Sequence, residues 1–322
     1  MKGRSVDEYR APLFLAWQLT NRCRGRCLHC CEESGPDRGW PDELDRDEAL
    51  DLARRIAQAG IPYVAFGGGE PLGVPHCWDI FGILASSGVA IKLETDGNLI
   101  DDRAADRLAA LAVDCVQISV DGATAATHDR LRPGSTYAGA VAAIERLVAR
   151  NVAPQWVFVP TRFNLDEIGA AYDLAAAKGC SAFVTGPLMR LGRAALAWHS
   201  IACDDAAWQR AVDLLRERAR VNPGPMALSI YPWGIVDEAE RRVDHPQAML
   251  LVVPNGKVKL LNALPFAPAD LRCDSIEEAW NAYRNAWRTR AVREFVARCR
   301  EDPELLRHAN ETWTAGEGTP SL

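Results

Sequence analysis

Three cysteines near the N-terminus, Cys23, Cys27 and Cys30, have a spacing that suits metal chemistry. They stand in the segment Cys-Arg-Gly-Arg-Cys-Leu-His-Cys, directly after the first predicted strand. Three thiolates on one short loop can each bind a corner iron of a cubane cluster, and the fourth iron then keeps an open position. A structural zinc site is the alternative, but it usually takes four ligands from two Cys-X-X-Cys pairs, and a second pair is missing. The spacing favours a [4Fe-4S] cluster.

The remaining cysteines and the bulk composition bound the class of protein. Four of the 10 cysteines lie between positions 23 and 31 and the others are scattered, a pattern of metal or redox chemistry rather than of disulfides. The N-terminus has no apolar signal segment, and no apolar stretch approaches the length of a membrane span. A net charge of -6 argues against a nucleic-acid surface. We expect a cytoplasmic protein that binds neither nucleic acid nor membrane.

Polar and glycine-rich segments follow several predicted strands. Taken alone, the glycine-rich one is typical of a strand-to-helix turn, and Arg132 is typical of a surface ion pair. Their common position at strand ends is more informative, because parallel barrels place their sites at the C-terminal ends of strands. The segments are Gly67-Gly68-Gly69-Glu70-Pro71, Thr95-Asp96-Gly97, Ser119-Val120-Asp121-Gly122, His128-Asp129-Arg130-Leu131-Arg132 and Pro187-Leu188-Met189-Arg190-Leu191-Gly192-Arg193-Ala194.

The first two thirds of the chain alternates short apolar runs with amphipathic segments. This rhythm predicts parallel βα units with right-handed crossovers. Six units are too few for a closed eightfold barrel, so the predicted α/β fold is a partial (βα)6, open TIM-like barrel over residues 11–200. The predicted strands are Leu13–Leu19, Tyr63–Phe66, Val89–Leu93, Cys115–Val120, Gln155–Val159 and Ala182–Thr185, and the helices are Arg46–Ala57, Trp78–Ser86, Asp102–Leu111, Gly139–Ala149 and Leu165–Ala177.

After about residue 200 the rhythm changes, which predicts a small α+β C-terminal extension over residues 201–309. A helix over Asp205–Arg218 and a strand over Ala227–Tyr231 precede a hairpin with Asn255-Gly256 at its turn, a pair typical of type I′ geometry. One long helix is predicted from Ser275 to Cys299. The polar residues 310–322, which include Gly and Pro, are expected to form a flexible tail.

Together these segments resemble the radical S-adenosylmethionine (SAM) superfamily over about residues 11–200. The resemblance implies that Cys23, Cys27 and Cys30 hold one [4Fe-4S] cluster, with His29 at the aromatic position before the third cysteine. Asp96 is a departure, since relatives often carry Thr-Asn-Gly where this chain has Thr95-Asp96-Gly97. The residues implied to contact SAM are Gly68, Gly69 and Glu70 at its amino group, Thr95 and Asp96, Ser119 at its ribose or carboxylate, Arg132 at its carboxylate, and Leu191 near its adenine.

The resemblance also implies the reaction. In this superfamily SAM chelates the open iron, one electron cleaves the bond to C5′, and the resulting 5′-deoxyadenosyl radical abstracts hydrogen from a substrate. The cofactors supply this step, and the protein supplies position and a dry cavity. A small flavodoxin or ferredoxin is the expected reductant.

Residues 249–287 resemble the SPASM or twitch extension of the same superfamily. No Cys-X-X-Cys set remains there, and the isolated Cys273 and Cys299 are typical of small packing residues. We therefore expect a single cluster. Without auxiliary clusters to accept an electron, redox-neutral outcomes such as decarboxylation, dehydration or epimerisation are favoured.

The substrate-facing residues are predicted by strand alternation. If Ser119 faces the barrel interior, Gln117 and Asp121 do so too, and Glu94 lies beside the Thr-Asp-Gly turn. Each could hydrogen-bond a hydroxyl or move a proton, and a purely structural role is an equal alternative. Tyr231, Trp233 and Asn262 could line the open side, with core packing the alternative for the two aromatic residues.

Three functions are considered. The favoured one is a small-molecule tailoring enzyme acting on a sugar or nucleoside-like substrate, with a resemblance to radical SAM decarboxylases of cytosylglucuronic acid in antibiotic pathways. The second is a peptide maturase, which the sequence disfavours because about a dozen residues precede the first strand and leave no room for a leader-binding domain. The third is a non-catalytic iron–sulfur or zinc protein, against which the Glu70 and Ser119 segments count.

Overall fold

A single mixed sheet of ten strands organises the chain in a computed structural model that describes residues 5–314. The strands are β1 (Phe14–Thr20), β2 (Tyr63–Gly68), β3 (Ala90–Thr95), β4 (Cys115–Ser119), β5 (Pro154–Phe158), β6 (Ala182–Thr185), β7 (Ala227–Ile230), β8 (Met249–Val252), β9 (Lys257–Lys259) and β10 (Ala269–Asp270). Their spatial order is β10-β9-β8-β1-β2-β3-β4-β5-β6-β7. Strands β7 and β10 are the two edges, so the sheet is open.

The parallel part of the sheet is longer than the six predicted units. Strand β7 continues it beyond β6, with Ala182 opposite Ala227, and β8 continues it beyond β1, with Phe14 opposite Met249. Only β9 and β10 run antiparallel to their neighbours. The α/β class and the open barrel are confirmed, and two strands of the C-terminal region extend that barrel on both sides.

Twelve α-helices accompany the strands within the described part of the chain. Acidic or hydroxyl residues cap the starts of seven of them, as Asp45 does for the first and Asp101 for the third. They are α1 (Arg46–Gln58), α2 (Cys77–Ser86), α3 (Asp102–Ala110), α4 (Ala125–Leu131), α5 (Tyr137–Val148), α6 (Ile168–Ala177), α7 (Gly192–Leu196), α8 (Trp198–Ile201), α9 (Asp205–Val221), α10 (Ile235–Asp244), α11 (Ile276–Ala286) and α12 (Arg290–Glu301), with 3-10 helices at Val6–Glu8, Pro71–Gly73, Leu165–Glu167 and Pro303–Asn310.

Two local predictions in the C-terminal region are wrong. The single helix predicted from Ser275 to Cys299 is broken, because Thr289 caps a new helix by accepting a hydrogen bond from the Val292 amide. The hairpin turn is a three-residue loop rather than a type I′ turn, since Val253 donates to the Lys257 carbonyl at 3.0 Å. Within this loop only Gly256 has a positive φ, of 82°.

Aromatic side chains form much of the core in the C-terminal region. The rings of Trp280 and Tyr283 are stacked with centroids 5.4 Å apart. Trp313 packs edge-on against Phe266 and Phe295, and its amide donates to the Pro265 carbonyl at 2.7 Å. These contacts place residues 310–314 in the fold, although a flexible tail was expected from residue 310; residues 315–322 of that tail lie outside the described residues.

The described residues contain no helix that could cross a membrane. None of the helices there combines the length and the apolar character needed to cross a bilayer.

Candidate radical SAM site

A cavity of about 530 Å³ opens at the C-terminal ends of the parallel strands. One part of its wall is polar and comes from the cysteine loop and from the ends of β2, β3 and β4. The other part is largely apolar and comes from β5, β6 and the segments that follow β6 and β7. Among its lining residues are Cys23, Cys27, His29, Cys30, Cys31, Glu32, Gly68, Gly69, Glu70, Glu94, Thr95, Asp96, Ser119, Arg132, Phe158, Leu188, Met189, Arg193, Tyr231 and Trp233.

The three predicted ligand cysteines all face this cavity, and every cysteine of the chain is a free thiol. Burial raises the pKa of Cys23 to about 12 and also raises that of Cys27, so both hold a proton that iron binding would displace. Among residues 5–314, no three His, Cys, Asp or Glu side chains converge where one ion could bind them all. A cubane cluster does not require this, because each thiolate binds its own iron.

The glycine-rich turn after β2 supports the cysteine loop through its backbone. The Gly69 amide donates to the Thr20 carbonyl at 2.7 Å, and the Glu70 amide donates to the Arg22 carbonyl at 2.9 Å. A Cβ on Gly69 would lie 2.0 Å from the Arg22 oxygen, a distance that no side chain tolerates. Glycine is therefore required at position 69 because two protein segments approach each other closely there, independently of any contact with SAM.

A second support comes from the segment after β6. The Arg193 side chain donates from Nε to the Cys27 carbonyl at 2.8 Å and from an Nη to the Ser34 carbonyl at 2.7 Å, while its amide donates to the Cys30 carbonyl at 3.0 Å. From the C-terminal region, Asn310 donates to the Cys31 carbonyl at 2.9 Å. One loop is thus fixed by residues distant in sequence.

A buried ion pair underlies the loop. Asp121, fully buried, binds the Arg132 guanidinium and lies 3.0 Å from Nε2 of His29. Burial alone would raise the pKa of the Asp121 carboxyl, but Arg132 and His29 hold that pKa well below its ordinary value. Nη1 of Arg132 also lies 3.7 Å from the Cys27 sulfur. This pair positions a guanidinium and an imidazole beside a ligand cysteine.

Two buried carboxylates form the next part of the wall. Glu70 accepts from the Thr95 hydroxyl at 2.8 Å and from the Asp96 amide at 3.1 Å. Burial and the nearby Asp96 carboxylate raise the pKa of Glu70 to about 8. One oxygen of Asp96, Oδ2, is buried without a hydrogen-bond partner in the described structure. A cationic ligand group would satisfy both carboxylates.

Some predicted residues lie elsewhere than expected. Ser119 and Glu94 line the cavity, and Glu94 pairs with Lys92 at 2.6 Å. Gln117 does not line it, because its amide donates to the Gln155 side chain within the barrel at 2.8 Å. Both carboxylate oxygens of Asp121 are engaged: Oδ2 binds Arg132, and Oδ1 accepts from the Val159 amide at 2.8 Å. Leu191 is 1% exposed and belongs to the core instead of the lining.

Other lining residues were not found from the sequence. Arg193 and Glu32 both line the cavity, and neither stands in a local pattern that predicts a site residue. Burial raises the pKa of Glu32, an effect that the charge of buried Lys259 opposes. Asn262 also differs from expectation, since it lies outside the lining set, whereas Tyr231 and Trp233 belong to it.

Comparisons with known proteins agree with this geometry. Residues 17–175 match the family model of the Radical SAM superfamily. The mycofactocin maturase MftC of Mycobacterium ulcerans is 33% identical over 226 residues, 70% of this chain and 60% of that protein. The AdoMet-dependent heme synthase of Methanosarcina barkeri is 33% identical over 187 residues, 57% of this chain and 52% of that protein.

Solved structures show the same fold over nearly the whole chain. Streptococcus suis SuiB bound to S-adenosylmethionine superposes with a TM-score of 0.71 at 12% identity, covering 96% of this chain and 78% of that one. At such low identity the likeness concerns the fold alone. The chain spans between about half and 60% of the length of the two curated relatives described above.

Residues 17–175 are thus similar to the Radical SAM superfamily, whose members use a [4Fe-4S] cluster and S-adenosylmethionine. The residues of this chain fit both groups. Three thiols from one loop face one cavity, and beside them the buried carboxylates of Glu70 and Asp96 form no ion pair with any residue between positions 5 and 314; Oδ2 of Asp96 has no hydrogen-bond partner there. That donor set suits an iron–sulfur cluster and a ligand with an ammonium group.

Proposed function

We propose that this protein is a radical SAM enzyme that abstracts hydrogen from an apolar side chain of a peptide substrate. When bound, the cluster and SAM supply the one-electron chemistry that generates the abstracting radical. Cys23, Cys27 and Cys30 hold the cluster, and Glu70 and Asp96 orient the SAM amino group. Ser119 and Arg132 stand beside them for the rest of SAM. The observation that carries the proposal is the meeting of these groups on one cavity.

The apolar end of the cavity supports a peptide rather than a sugar. Leu188, Met189, Tyr231, Trp233 and Ile235 line it. Tyr231 is 47% exposed and Trp233 is 37% exposed, so both rings are available at the mouth. A hydroxyl-rich sugar that bound against this apolar surface would lose hydrogen bonds to water without gaining new ones. An apolar side chain has no such hydrogen bonds to lose, and its burial is favourable.

The comparisons point the same way. The M. ulcerans relative is named a maturase, and SuiB, which shares the fold, has been solved bound to a precursor peptide, SuiA. They support the peptide alternative better than the sugar or nucleoside substrate that the sequence favours. The resemblance to cytosylglucuronate decarboxylases gains no support from them.

The first test removes one ligand cysteine. Cys30→Ala should lose the iron of the reconstituted protein and all 5′-deoxyadenosine formation from SAM and dithionite under anaerobic conditions, because a cluster needs its third thiolate. Cys273→Ala, at an exposed free cysteine outside the cavity, is the matched control and should keep both. Zinc in the purified wild-type loop, or full activity of Cys30→Ala, would refute the proposal.

The second test separates substrate classes. Candidate precursor peptides and uronic-acid sugars, each deuterated, are incubated with the enzyme, SAM and dithionite, and the 5′-deoxyadenosine is analysed by mass. Deuterium from a peptide is the expected result. Deuterium from a sugar but from no peptide would return the assignment to small-molecule tailoring.

A further inference from the structure

The turn that follows Cys30, residues 31–33, has a strained backbone. Glu33 has a φ of 54°, in the left-handed region that a residue with a Cβ disfavours. Two other non-glycine residues of the described range share this region, Ala112 and Asn151, and both stand shortly after a helix, where such a conformation is common. Glu33 follows no helix, so contacts from elsewhere in the protein must hold it in this conformation.

The segment after β6 contacts the backbone of this turn directly. A Cβ on Gly192 would lie 2.3 Å from the Cys31 carbonyl oxygen and 2.7 Å from that of Cys30, so glycine is needed for the close approach. The Arg193 amide also donates to the Cys30 carbonyl at 3.0 Å. The turn therefore cannot move toward this segment, although none of these contacts holds Glu33 itself.

Asn310 binds the turn at both of its ends. Its Nδ2 donates to the Cys31 carbonyl at 2.9 Å and to Oε2 of Glu33 at 3.0 Å. A carbonyl and a carboxylate are both acceptors, so the nitrogen of the amide, with its two N–H donors, must face them, and not its oxygen. One side chain, 279 positions from Cys31, therefore bridges the first and the last residue of the turn.

The helix that carries this asparagine is anchored to two other parts of the fold. It is the 3-10 helix Pro303–Asn310, in which Ala309 is fully buried. The Ala309 carbonyl accepts from the ammonium group of buried Lys259 on β9, and Glu304 pairs with Arg190 in the segment after β6. The side chain that bridges the turn is thus presented by a fixed element of the C-terminal region.

We propose that Asn310 is a positioning residue for the iron–sulfur cluster, because its two hydrogen bonds hold the strained turn and thereby fix the place of the Cys30 thiolate. This inference rests on the proposed function, under which Cys30 binds iron. Without the two bonds Glu33 can relax to a negative φ, and the backbone that follows Cys30 shifts with it. A thiolate that is displaced in this way binds its iron less firmly.

The test exchanges the donating nitrogen for an oxygen. Asn310→Asp has nearly the same shape, but it loses both donors and brings a second carboxylate against Glu33. In the anaerobically reconstituted protein, iron release to a chelator should become about tenfold to a hundredfold faster, the range for losing a group that orients a metal ligand. The electron paramagnetic resonance spectrum of the dithionite-reduced cluster should also change, because one iron–thiolate bond has a new geometry. A general loss of stability would leave this spectrum as it is.

Three further variants separate this role from a general structural one. Glu33→Gln keeps an acceptor for Asn310 and should retain iron as the wild type does. Glu33→Gln/Asn310→Asp should recover part of the retention, because it removes the repulsion between two carboxylates and restores one hydrogen bond with reversed polarity. Asn255→Asp is the matched control: this buried asparagine of the hairpin turn donates from Nδ2 to the Asp42 carboxylate at 3.0 Å. It should lower the free energy of unfolding but leave iron release and the spectrum unchanged.

The inference is overturned if Asn310→Asp releases iron no faster than the wild type, if Asn255→Asp releases it as fast, or if the double variant recovers nothing. Faster release with an unchanged spectrum would equally contradict it, since the thiolate would then not have moved. Failure of the proposed function gives a different signature. A wild type that binds no cluster contradicts the function before any variants are compared. A wild type that holds the cluster but forms no 5′-deoxyadenosine from SAM contradicts the function and leaves the comparison of iron release intact.

Discussion

The two ends of the cavity are built in opposite ways. At the cysteine loop, hydrogen bonds from distant segments hold the carbonyls of Arg22, Cys27, Cys30 and Cys31, and a buried ion pair lies beneath them. At the mouth, the rings of Tyr231 and Trp233 are 47% and 37% exposed, and Trp233 lies against the Arg241 guanidinium.

The difference teaches where this protein is rigid and where it can adapt. A satisfied buried polar network has one good arrangement and resists change, because each unpaired member in a low dielectric is costly. Exposed side chains on connecting segments can vary with little loss of stability. Under the proposed function, the cluster and SAM belong to the first end, and we expect substrate choice to be made at the second.

The largest effect should come from removing the charge under the loop. Asp121→Asn leaves the buried Arg132 guanidinium without its carboxylate, so the free energy of unfolding should fall by about 3–5 kcal/mol. Urea unfolding followed by circular dichroism measures this. Asp37→Asn breaks the exposed pair with Arg26 and should cost at most about 1 kcal/mol. Similar losses in the two variants would mean that the buried network under the loop stabilises the protein no more than an exposed ion pair does.

A pH dependence of stability should follow from His128 in the same network. His128 is fully buried, its Nδ1 accepts from the Asp121 amide at 3.1 Å, and burial lowers its pKa to about 4. Between this value and about 6.5 the unfolded chain binds a proton that the folded chain does not, so stability is lost as the pH falls through that window.

The expected contribution of His128 to this loss is on the order of 3 kcal/mol from pH 7 to pH 4, measured as the difference between wild type and His128→Gln in urea unfolding at each pH. The raised pKa of Glu70 acts with the opposite sign in the same window and is common to both proteins. His128→Gln should flatten the profile in this window. Asp121 acts at lower pH. Because its pKa is lowered in the folded state, its contribution to stability is complete above the ordinary pKa range of carboxyl groups, and it is lost only in stronger acid. Profiles of wild type and His128→Gln that run parallel between pH 7 and pH 4 would contradict a neutral, buried His128.

The same contrast explains what the sequence could reveal. The cysteine spacing, the glycine turn and the strand-end polar residues are local patterns, and the structure places most of them on one cavity. Arg193 could not be recognised in this way, since its side chain reaches the Cys27 carbonyl across 166 positions. The partners of a strand in the sheet are equally hard to predict. The sequence indicates that Met249–Val252 is a strand of a hairpin, but no local pattern shows that its other edge pairs with β1.

Strand alternation also has a limit that Gln117 and Asp121 illustrate. Alternation tells which face a side chain takes, and Gln117 does share the interior with Ser119. It does not tell the depth at which a side chain finds a partner, which for Gln117 is Gln155. Nor does it hold past the strand end, where Asp121 turns to Arg132.

A smaller effect tests the glycine contact with the loop. Gly69→Ala would place its Cβ against the Arg22 carbonyl, so backbone must move and the free energy of unfolding should fall by about 1–3 kcal/mol. The loop should also hold iron less firmly, measured as the rate of iron release to a chelator. Gly82→Ala is the matched control: nothing lies within 4 Å of its Cβ, and alanine in a helix should stabilise by about 0.5–1 kcal/mol. Equal behaviour of the two variants would mean that Gly69 is not tightly packed.

The smallest effect on stability should come from the mouth. Trp233→Ala removes a ring that is 37% exposed and stacks on the Arg241 guanidinium at 4.1 Å, so the free energy of unfolding should change by no more than about 1 kcal/mol. Trp280→Ala, at a fully buried ring, should instead cost about 3–5 kcal/mol. SAM cleavage without substrate should be unchanged in Trp233→Ala, since the ring makes no hydrogen bond with the cysteines or the buried carboxylates in residues 5–314, while deuterium transfer from a peptide substrate should fall. A loss of cleavage together with transfer would show that the mouth and the cofactor end are one coupled unit, and that substrate choice is not made separately.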